Sequence, residues 1–291
     1  MLKSARIALL LAATVAMAGC QKDFTAYALT SSGSIIQFNT NKPGTVNSTV
    51  AITGLTSTSQ KVVQISYQPS SGVLWCITND GFLCTLDPVG GTATIVNTTS
   101  GLPFTQHLGN GNNSATLINP LMSFDPVSGD VRVISTQYNL LVNITSGLID
   151  NTDTENTQVA YDSQDVNDKK TPQLGGIAYT NPVVGAGQTT LYALDIATTS
   201  LVRIGDKNTS NAGSANGGDL RTIGTLNSPL STNTGFAISP NNGDAYAVLQ
   251  SGGPATLYTV DLDTGALTSL GQVGGDNNSQ EPTITSLVIS R

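Results

Sequence analysis

A short strand pattern recurs along this chain at intervals of about 51 to 59 residues. Each copy is a run of apolar and small residues, and several copies end in proline. The copies are ISYQP from Ile65, MSFDP from Met122, IAYTNP from Ile177, FAISP from Phe236 and LVIS from Leu287. A fixed period indicates a repeat architecture. A period of this length that carries four strands is typical of propeller blades rather than helical solenoids.

A β-hairpin recurs as well. Residues 27–39 (YALTSSGSIIQFN) align without gaps over residues 75–87 (WCITNDGFLCTLD), with glycine at the same turn position. A third copy with a longer turn covers residues 246–261. Together with the recurring strand, the hairpin predicts four strands in each repeat. In the second repeat they cover residues 62–68, 73–78, 82–86 and 93–97, and in the fourth they cover residues 175–181, 189–196, 201–205 and 220–226.

The two ends of the chain complement each other. The last strand, predicted over residues 284–290, has no hairpin after it, whereas the first hairpin lacks the strand that precedes it in the other repeats. Pairing these ends would complete a fifth blade and close the ring, which removes exposed sheet edges.

Helix signals are nearly absent after residue 19, because glycine, asparagine, proline and β-branched residues interrupt every window. We therefore predict an all-β fold, with a single five-bladed β-propeller domain over residues 20–291. Six blades, a pair of β-sandwiches or a parallel β-helix are the alternatives.

The first twenty residues are typical of a secretory signal. Two basic residues precede an apolar run over residues 7–17, which is too short to be a transmembrane helix. Two cleavage sites compete: residues 16–18 fit an A-x-A site, whereas residues 18–20 resemble the bacterial lipobox, which would place a lipid on Cys20. We favour the lipobox, because a lone cysteine directly after a signal core is hard to explain otherwise. The prediction is a signal peptide over residues 1–19 and a membrane anchor at Cys20.

Charge and hydropathy narrow the range of partners. The chain has 12 Lys and Arg residues against 19 Asp and Glu residues, a net charge of −7. This balance argues against nucleic acid, which requires clustered basic residues. No second long apolar segment follows the signal, so the expected membrane contact is the lipid. Because Gln21 follows Cys20, rather than the aspartate linked to inner-membrane retention, we expect an exported outer-membrane lipoprotein that faces the periplasm or the cell surface.

Cys76 and Cys84 flank the sequence Asn79-Asp80-Gly81. With a three-residue loop and a left-handed Gly81, the two cysteines face each other within the distance that a disulfide spans. A two-residue turn would put them on opposite faces of the hairpin. We favour a disulfide, which suits an exported protein, over two buried free thiols. A redox or metal role is disfavoured, since two thiolates without a further cysteine or a nearby histidine rarely form a site.

Few residues suggest catalysis or metal binding. We interpret His107, the one histidine of the chain, as a solvated loop residue. Carboxylates cluster in residues 150–155, 162–168, 261–265 and 274–281, and such oxygen ligands suit Ca²⁺. Asp261 and Asp263 are the calcium candidates, although no segment matches the EF-hand loop and a polar turn explains residues 261–265 equally well. We expect no other cofactor.

The aromatic residues at repeat positions have two interpretations. Packing between blades is favoured over a platform for sugars. The residues concerned are Trp75, Tyr192, Tyr246 and Tyr258.

Five segments in order resemble a known family. They are LMSFDPVSGDVRVIS (121–135), NLLVN (139–143), GIAYTN (176–181), TLYALD (190–195) and LRTIGTL (220–226). As a set they resemble the exported bacterial family called domain of unknown function 4394, a propeller-like β-repeat domain. The resemblance covers nearly all of the mature chain and implies the propeller fold. It brings no established activity, so it leaves function open.

From these observations we expect a non-enzymatic, lipid-anchored propeller of the cell envelope that binds or scaffolds a protein or glycan partner. One alternative is a metal-dependent hydrolase or lyase with carboxylates lining the central channel. Another is a structural component of a surface layer or matrix. Converging Asp and Glu side chains in the channel would favour the enzyme, and an apolar surface patch would favour the binding module.

Overall fold

The computed structural model describes residues 23–96, 117–146, 149, 158–275 and 281–290. The signal peptide, Cys20, His107 and the acidic residues 150–155 lie outside the described residues, as does part of the segment 274–281. The strands are β1 (Thr25–Thr30), β2 (Ser34–Asn39), β3 (Lys42–Ala51), β4 (Val62–Tyr67), β5 (Leu74–Thr78), β6 (Leu83–Leu86), β7 (Ala93–Ile95), β8 (Leu121–Phe124), β9 (Val131–Ile134), β10 (Asn139–Val142), β11 (Ala160–Tyr161), β12 (Leu174–Tyr179), β13 (Thr189–Asp195), β14 (Ser200–Thr209), β15 (Asp219–Thr225), β16 (Thr234–Ile238), β17 (Ala245–Leu249), β18 (Thr256–Val260), β19 (Leu267–Gln272) and β20 (Ile284–Ile289).

The strands form five sheets, which are the blades of a propeller. From the central axis outwards, the first blade is β20-β1-β2-β3 and the second is β4-β5-β6-β7. The third is β8-β9-β10, the fourth is β12-β13-β14-β15-β11 and the fifth is β16-β17-β18-β19. The innermost strands β20, β4, β8, β12 and β16 contact one another in a ring. The prediction of an all-β, five-bladed propeller is confirmed.

The first blade is completed by the two ends of the chain. Strand β1 pairs with β20 in antiparallel register, with Ala26 opposite Ile289 and Ala28 opposite Leu287. All four of these side chains are buried. The ring is therefore closed by backbone hydrogen bonds between the first and last strands, as the sequence predicts.

The fourth blade differs from the prediction in two ways. Strand β14 continues to Thr209, whereas the predicted strand ends at Gly205. Gly205 has a φ of 71°, and the register shifts where β14 passes it, so the glycine marks a bulge rather than the end of the strand. The second difference is β11, which pairs in parallel with β15 at the outer edge. A strand of two residues is too short to produce a periodic sequence signal.

Three of the five contacts between innermost strands use a serine hydroxyl. The oxygen atoms of Ser66, Ser123 and Ser286 each accept a hydrogen bond from a backbone N–H of the neighbouring innermost strand, at 3.3 Å. The donors are Phe124, Tyr179 and Ile65, in that order. A small polar side chain thus fills the gap and satisfies a backbone donor that has no partner in its own blade.

The other two contacts use glycine. A Cβ atom on Gly176 would lie 2.7 Å from Phe236 Cβ, and one on Gly235 would lie 2.7 Å from Leu287 Cβ. Such distances are shorter than a van der Waals contact, so these two junctions need a residue without a side chain. Neither glycine has a positive φ; close approach of the strands explains both.

The predicted hairpin register is also confirmed. Cys76 lies opposite Cys84 with their Cα atoms 4.9 Å apart, and the two form a disulfide. Gly81 has a φ of 84° and donates its N–H to Thr78 O, as a three-residue loop requires. In the first hairpin, Ala28 and Ile36 occupy the same two positions and are buried. The disulfide therefore replaces an apolar packing pair.

We expect Gly235→Ala to lower the free energy of unfolding by about 1 to 3 kcal/mol, because the added methyl group overpacks the junction with β20. Gly187→Ala is the matched control, since a Cβ there meets nothing within 4 Å. It should change stability by less than about 1 kcal/mol. Urea unfolding followed by circular dichroism gives both values, and equal stabilities for the two variants would contradict the close packing of the ring.

We expect the double variant Cys76→Ala/Cys84→Ala to lose about 2 to 3 kcal/mol of unfolding free energy, because the disulfide restricts a short loop of the unfolded chain. Reductant is the control: it should destabilise the wild-type protein and leave the variant unchanged. If the wild-type protein kept its urea midpoint after mass spectrometry had shown the bond to be reduced, the stabilising role would be wrong.

Candidate functional site

The innermost strands run in the same direction, so their beginnings meet at one end of the axis and their ends meet at the other. Each end forms a cavity, and the residues that line the two cavities do not overlap. We call the cavity at the strand beginnings the amide mouth, defined by Gln64, Asn119, Gln173 and Asn233 with their neighbours. We call the cavity at the strand ends the apolar mouth, defined by Tyr67, Phe124, Ile238 and Val288 with their neighbours.

The apolar mouth has a volume of about 160 Å³, and no charged side chain lines it. Prolines that follow the innermost strands of three blades, Pro69, Pro182 and Pro240, form part of its wall. Burial raises the pKa of Tyr67 to about 12, so this phenol stays neutral at physiological pH. The cavity therefore offers an uncharged surface at the end of the propeller.

A fully buried polar cluster lies between the third and fourth blades, beside the apolar mouth. Arg132 Nε donates to Tyr179 Oη at 3.4 Å, and Arg132 Nη1 donates to Asn139 Oδ1 at 3.3 Å. Asn139 Nδ2 in turn donates to the backbone oxygen of Ala215 at 2.7 Å. Burial raises the pKa of Tyr179 to about 12 and also raises that of Asp125. These hydrogen bonds join two blades, so we assign the cluster a structural role.

The amide mouth is the larger cavity, with a volume of about 490 Å³. Each blade contributes at least one residue with an uncharged polar side chain to its lining: Ser31, Gln64, Asn119, Gln173 and Asn233, from the first blade to the fifth. Its remaining wall includes apolar side chains from Val62, Leu121 and Leu174. Lys61 is the one charged residue among the described lining residues, and it is exposed.

Two of the amide residues have a defined local geometry, one through a hydrogen bond and the other through its backbone conformation. Gln64 Nε2 donates to the backbone oxygen of Thr285 at 3.2 Å, which ties this side chain to the neighbouring innermost strand. Asn119 has a φ of 50°, in the left-handed region that asparagine tolerates better than most residues. Conformations of this kind often occur where a side chain must be held at a site.

The calcium candidates lie in an ordinary turn between β18 and β19. Asp261 Oδ1 accepts backbone N–H groups from Asp263 at 2.9 Å and Thr264 at 3.0 Å, and these bonds lower the pKa of Asp261. Asp263 forms an exposed ion pair with Lys207 at 3.1 Å. No group of three or more His, Cys, Asp or Glu side chains converges in the part of the chain that the structure describes. Calcium binding stays a prediction without a converging ligand set.

The acidic segment 162–168 is engaged in similar local contacts. Asp162 pairs with Arg221 at 2.9 Å, and Asp165 accepts the N–H of Thr222 at 2.6 Å. Both contacts hold this segment against β15. Neither carboxylate lines a described cavity at the central axis.

The aromatic residues at repeat positions pack within and between blades. Trp75 contacts Phe124 edge to face, with ring centroids 5.8 Å apart, across the junction of the second and third blades. Tyr192 is buried in the core between the fourth and fifth blades, Tyr246 is buried in the core between the fifth and first blades, and Tyr258 is half-buried. This agrees with the packing interpretation.

The sequence interpretation did not single out the amide mouth. Its amide side chains stand one to four positions before the recurring strand, where Gln64 precedes Ile65 and Asn233 precedes Phe236. The available signal was therefore an Asn or Gln just upstream of the strand in four repeats. Alignment of the strands alone does not reveal this Asn or Gln, because the number of residues between it and the strand changes from one repeat to the next.

The sequence profile of the family described as domain of unknown function 4394 matches residues 34–283. The chain belongs to this family. None of the curated proteins matches the chain. The domain of unknown function 4394 assignment agrees with the resemblance found in the sequence and extends over all five blades.

Solved structures are similar to this domain of unknown function 4394 protein at low sequence identity. A protein from Bacteroides fragilis described as a 6-phosphogluconolactonase is 16% identical, with 91% of this chain and 70% of that chain covered and a TM-score of 0.41. TolB from Acinetobacter baumannii is 10% identical, with coverage of 92% and 66% and a TM-score of 0.44. A Bacteroides thetaiotaomicron protein of unknown function is 11% identical, with coverage of 92% and 65% and a TM-score of 0.49.

Helical structure is scarce in the part of this domain of unknown function 4394 chain that the structure describes. There, one 3-10 helix, Ala212–Ala215, lies between β14 and β15 of the fourth blade. Among the described residues, no helix is long and apolar enough to span a bilayer.

Proposed function

We propose that this protein is a non-enzymatic, lipid-anchored propeller of the bacterial cell envelope that binds an uncharged glycan at the amide mouth. The observation that carries the proposal is the lining of this cavity, to which all five blades contribute an uncharged polar side chain. Its volume of about 490 Å³ lies within the usual range for small-ligand sites.

The chemistry of the lining favours a neutral ligand with many hydroxyl groups. An amide side chain both donates and accepts hydrogen bonds, as a sugar hydroxyl does, so Asn119, Gln173 and Asn233 complement such a ligand in either direction. A charged ligand would lose hydration at this mouth and find only Lys61 as a charged partner. The apolar wall around Leu121 and Leu174 suits the C–H faces of a sugar ring.

The alternative functions require different side chains in the same cavities. Hydrolysis of a glycosidic bond by paired carboxylates needs two Asp or Glu side chains at the site, and none lines either mouth among the described residues. The hydrolase or lyase alternative therefore gains no support there. A protein partner and a matrix role remain as outcomes of the experiments below.

We expect Gln173→Leu and Asn233→Leu each to weaken glycan binding roughly tenfold, since each variant removes hydrogen bonds worth about 1 to 1.5 kcal/mol. The probes are immobilised neutral N-acetylglucosamine-containing oligosaccharides and, as an acidic comparison, uronic-acid-containing oligosaccharides. Gln188→Leu is the matched control, because this exposed glutamine lies in the loop at the opposite end of the propeller.

Three results would contradict the proposal. They are no binding to any neutral oligosaccharide, binding that survives both variants, and preferential binding of acidic chains that Lys61→Met abolishes. Release of labelled products from the oligosaccharides would instead favour the enzyme. Formation of regular arrays by the purified protein would favour the matrix component.

Cys20→Ser should release the protein from the membrane fraction into the soluble periplasmic fraction, because the substitution removes the thiol that would carry the lipid. Metabolic labelling with a radioactive fatty acid should label the wild-type protein and fail to label the variant. Membrane retention of the unlabelled variant would show that a different contact holds the protein there.

A further inference from the structure

The amino-terminal end of the described chain lies at the same end of the propeller as the apolar mouth. Phe24 N donates to Thr40 Oγ1 at 3.1 Å, and Thr40 N donates to Phe24 O at 2.9 Å. Ser290 lines the apolar mouth and donates its N–H to Thr25 O at 2.8 Å. The chain is therefore held against this end of the propeller from residue 24 onwards.

The distance from this end to the proposed anchor is short. Three residue steps separate Cys20 from Asp23, the first described residue. Three steps of extended chain span at most about 11 Å. A lipid on Cys20 would therefore hold the apolar-mouth end near the bilayer, and a short tether of this kind cannot reach round the propeller to the amide mouth.

Two of the four loops that follow innermost strands at the apolar mouth have a composition that suits such a position, whereas the loops after β8 and β16 contain aspartate. Residues 68–73 and 180–188 connect the first two strands of the second and fourth blades at this end, and neither loop contains a charged residue. Val184 is 64% exposed in one loop and Val73 is 40% exposed in the other. Val89, in the β6–β7 turn at the same end, is 75% exposed. Three of the five large apolar side chains that are exposed among the described residues thus lie at this end. Exposed apolar side chains mark a contact surface when they form a patch on one face.

We propose that the face bearing the apolar mouth rests on the surface of the bilayer that holds the anchor, with Val73, Val89 and Val184 in contact with lipid. The proposal rests on the lipid anchor included in the proposed function. Apolar side chains at the interface add to the affinity that the lipid anchor provides. The amide mouth then faces away from the membrane, where a glycan can reach it.

The charges at this end favour a surface without net negative charge. The charged residues described at this end include Lys42 and Lys207, against a larger acidic set: Asp23, Asp87, Asp130, Asp206, Asp244, Asp261 and Asp263. Acidic turns are repelled by anionic lipid headgroups, and the repulsion falls within a Debye length of the surface. The lipid partner is therefore a zwitterionic phospholipid surface.

Single cysteine labels test the orientation. Val184→Cys allows a label to be attached at the apolar-mouth end. Thr232→Cys allows a label to be attached at an exposed position of the amide mouth. Each variant is made in the full lipoprotein, labelled with a nitrobenzoxadiazole fluorophore and reconstituted into phosphatidylcholine vesicles; a Cys20→Ser version of each provides the lipid-free reference. Cys76 and Cys84 are joined by a disulfide and do not compete for the label.

We expect the label at residue 184 to show blue-shifted emission and several-fold weaker iodide quenching on vesicles than in the Cys20→Ser reference. The label at residue 232 should match its reference. Equal quenching at the two positions, or protection at residue 232 alone, would overturn the proposal. Stronger protection of residue 184 on vesicles that contain phosphatidylglycerol would overturn the choice of a zwitterionic surface.

Flotation of the vesicles separates this inference from the function on which it rests. Lipoprotein that floats with vesicles while residue 184 stays fully accessible is anchored but not oriented, which contradicts only the inference. Lipoprotein that does not float lacks the anchor, which contradicts the proposed function itself.

Discussion

Close approach of the five innermost strands is the constraint on which the rest of this propeller depends. At three junctions a serine hydroxyl accepts a backbone N–H across the gap, and at two junctions only glycine fits. The described residues along the axis form two cavities, one at each end, with different linings. The different chemistry of the two ends follows from which residues precede and follow the strands.

Much of the architecture could be predicted from the sequence because repeats can be detected by comparing segments of one chain with each other. The spacing of the recurring strand gave the blade count, and the match between two hairpins gave the register of Cys76 and Cys84. The β11 pairing and the bulge at Gly205 could not be predicted, since both depend on contacts between distant residues. The amide mouth was missed for the same reason: its side chains converge only when the ring is closed.

The two ends of the axis differ in the chemistry of their lining residues, so one small fold can contact two different environments. Side chains that form hydrogen bonds in both directions line one end, and apolar or neutral groups line the other. A propeller repeats its secondary structure with approximate five-fold symmetry, but the residues before and after each innermost strand vary independently. Substitutions at one end can therefore change what that end binds without disturbing the core between the blades.

Closure of the ring by the first and last strands has a consequence for the order in which the blades fold. Ala26 pairs with Ile289, so the first blade cannot form until almost the whole chain has been synthesised. Contacts between residues so far apart in sequence are slow to form, and unpaired strands are prone to aggregate while they wait. Blades two to five are contiguous in sequence and can assemble earlier. The chain is therefore most exposed to aggregation in the interval before β20 becomes available to pair with β1.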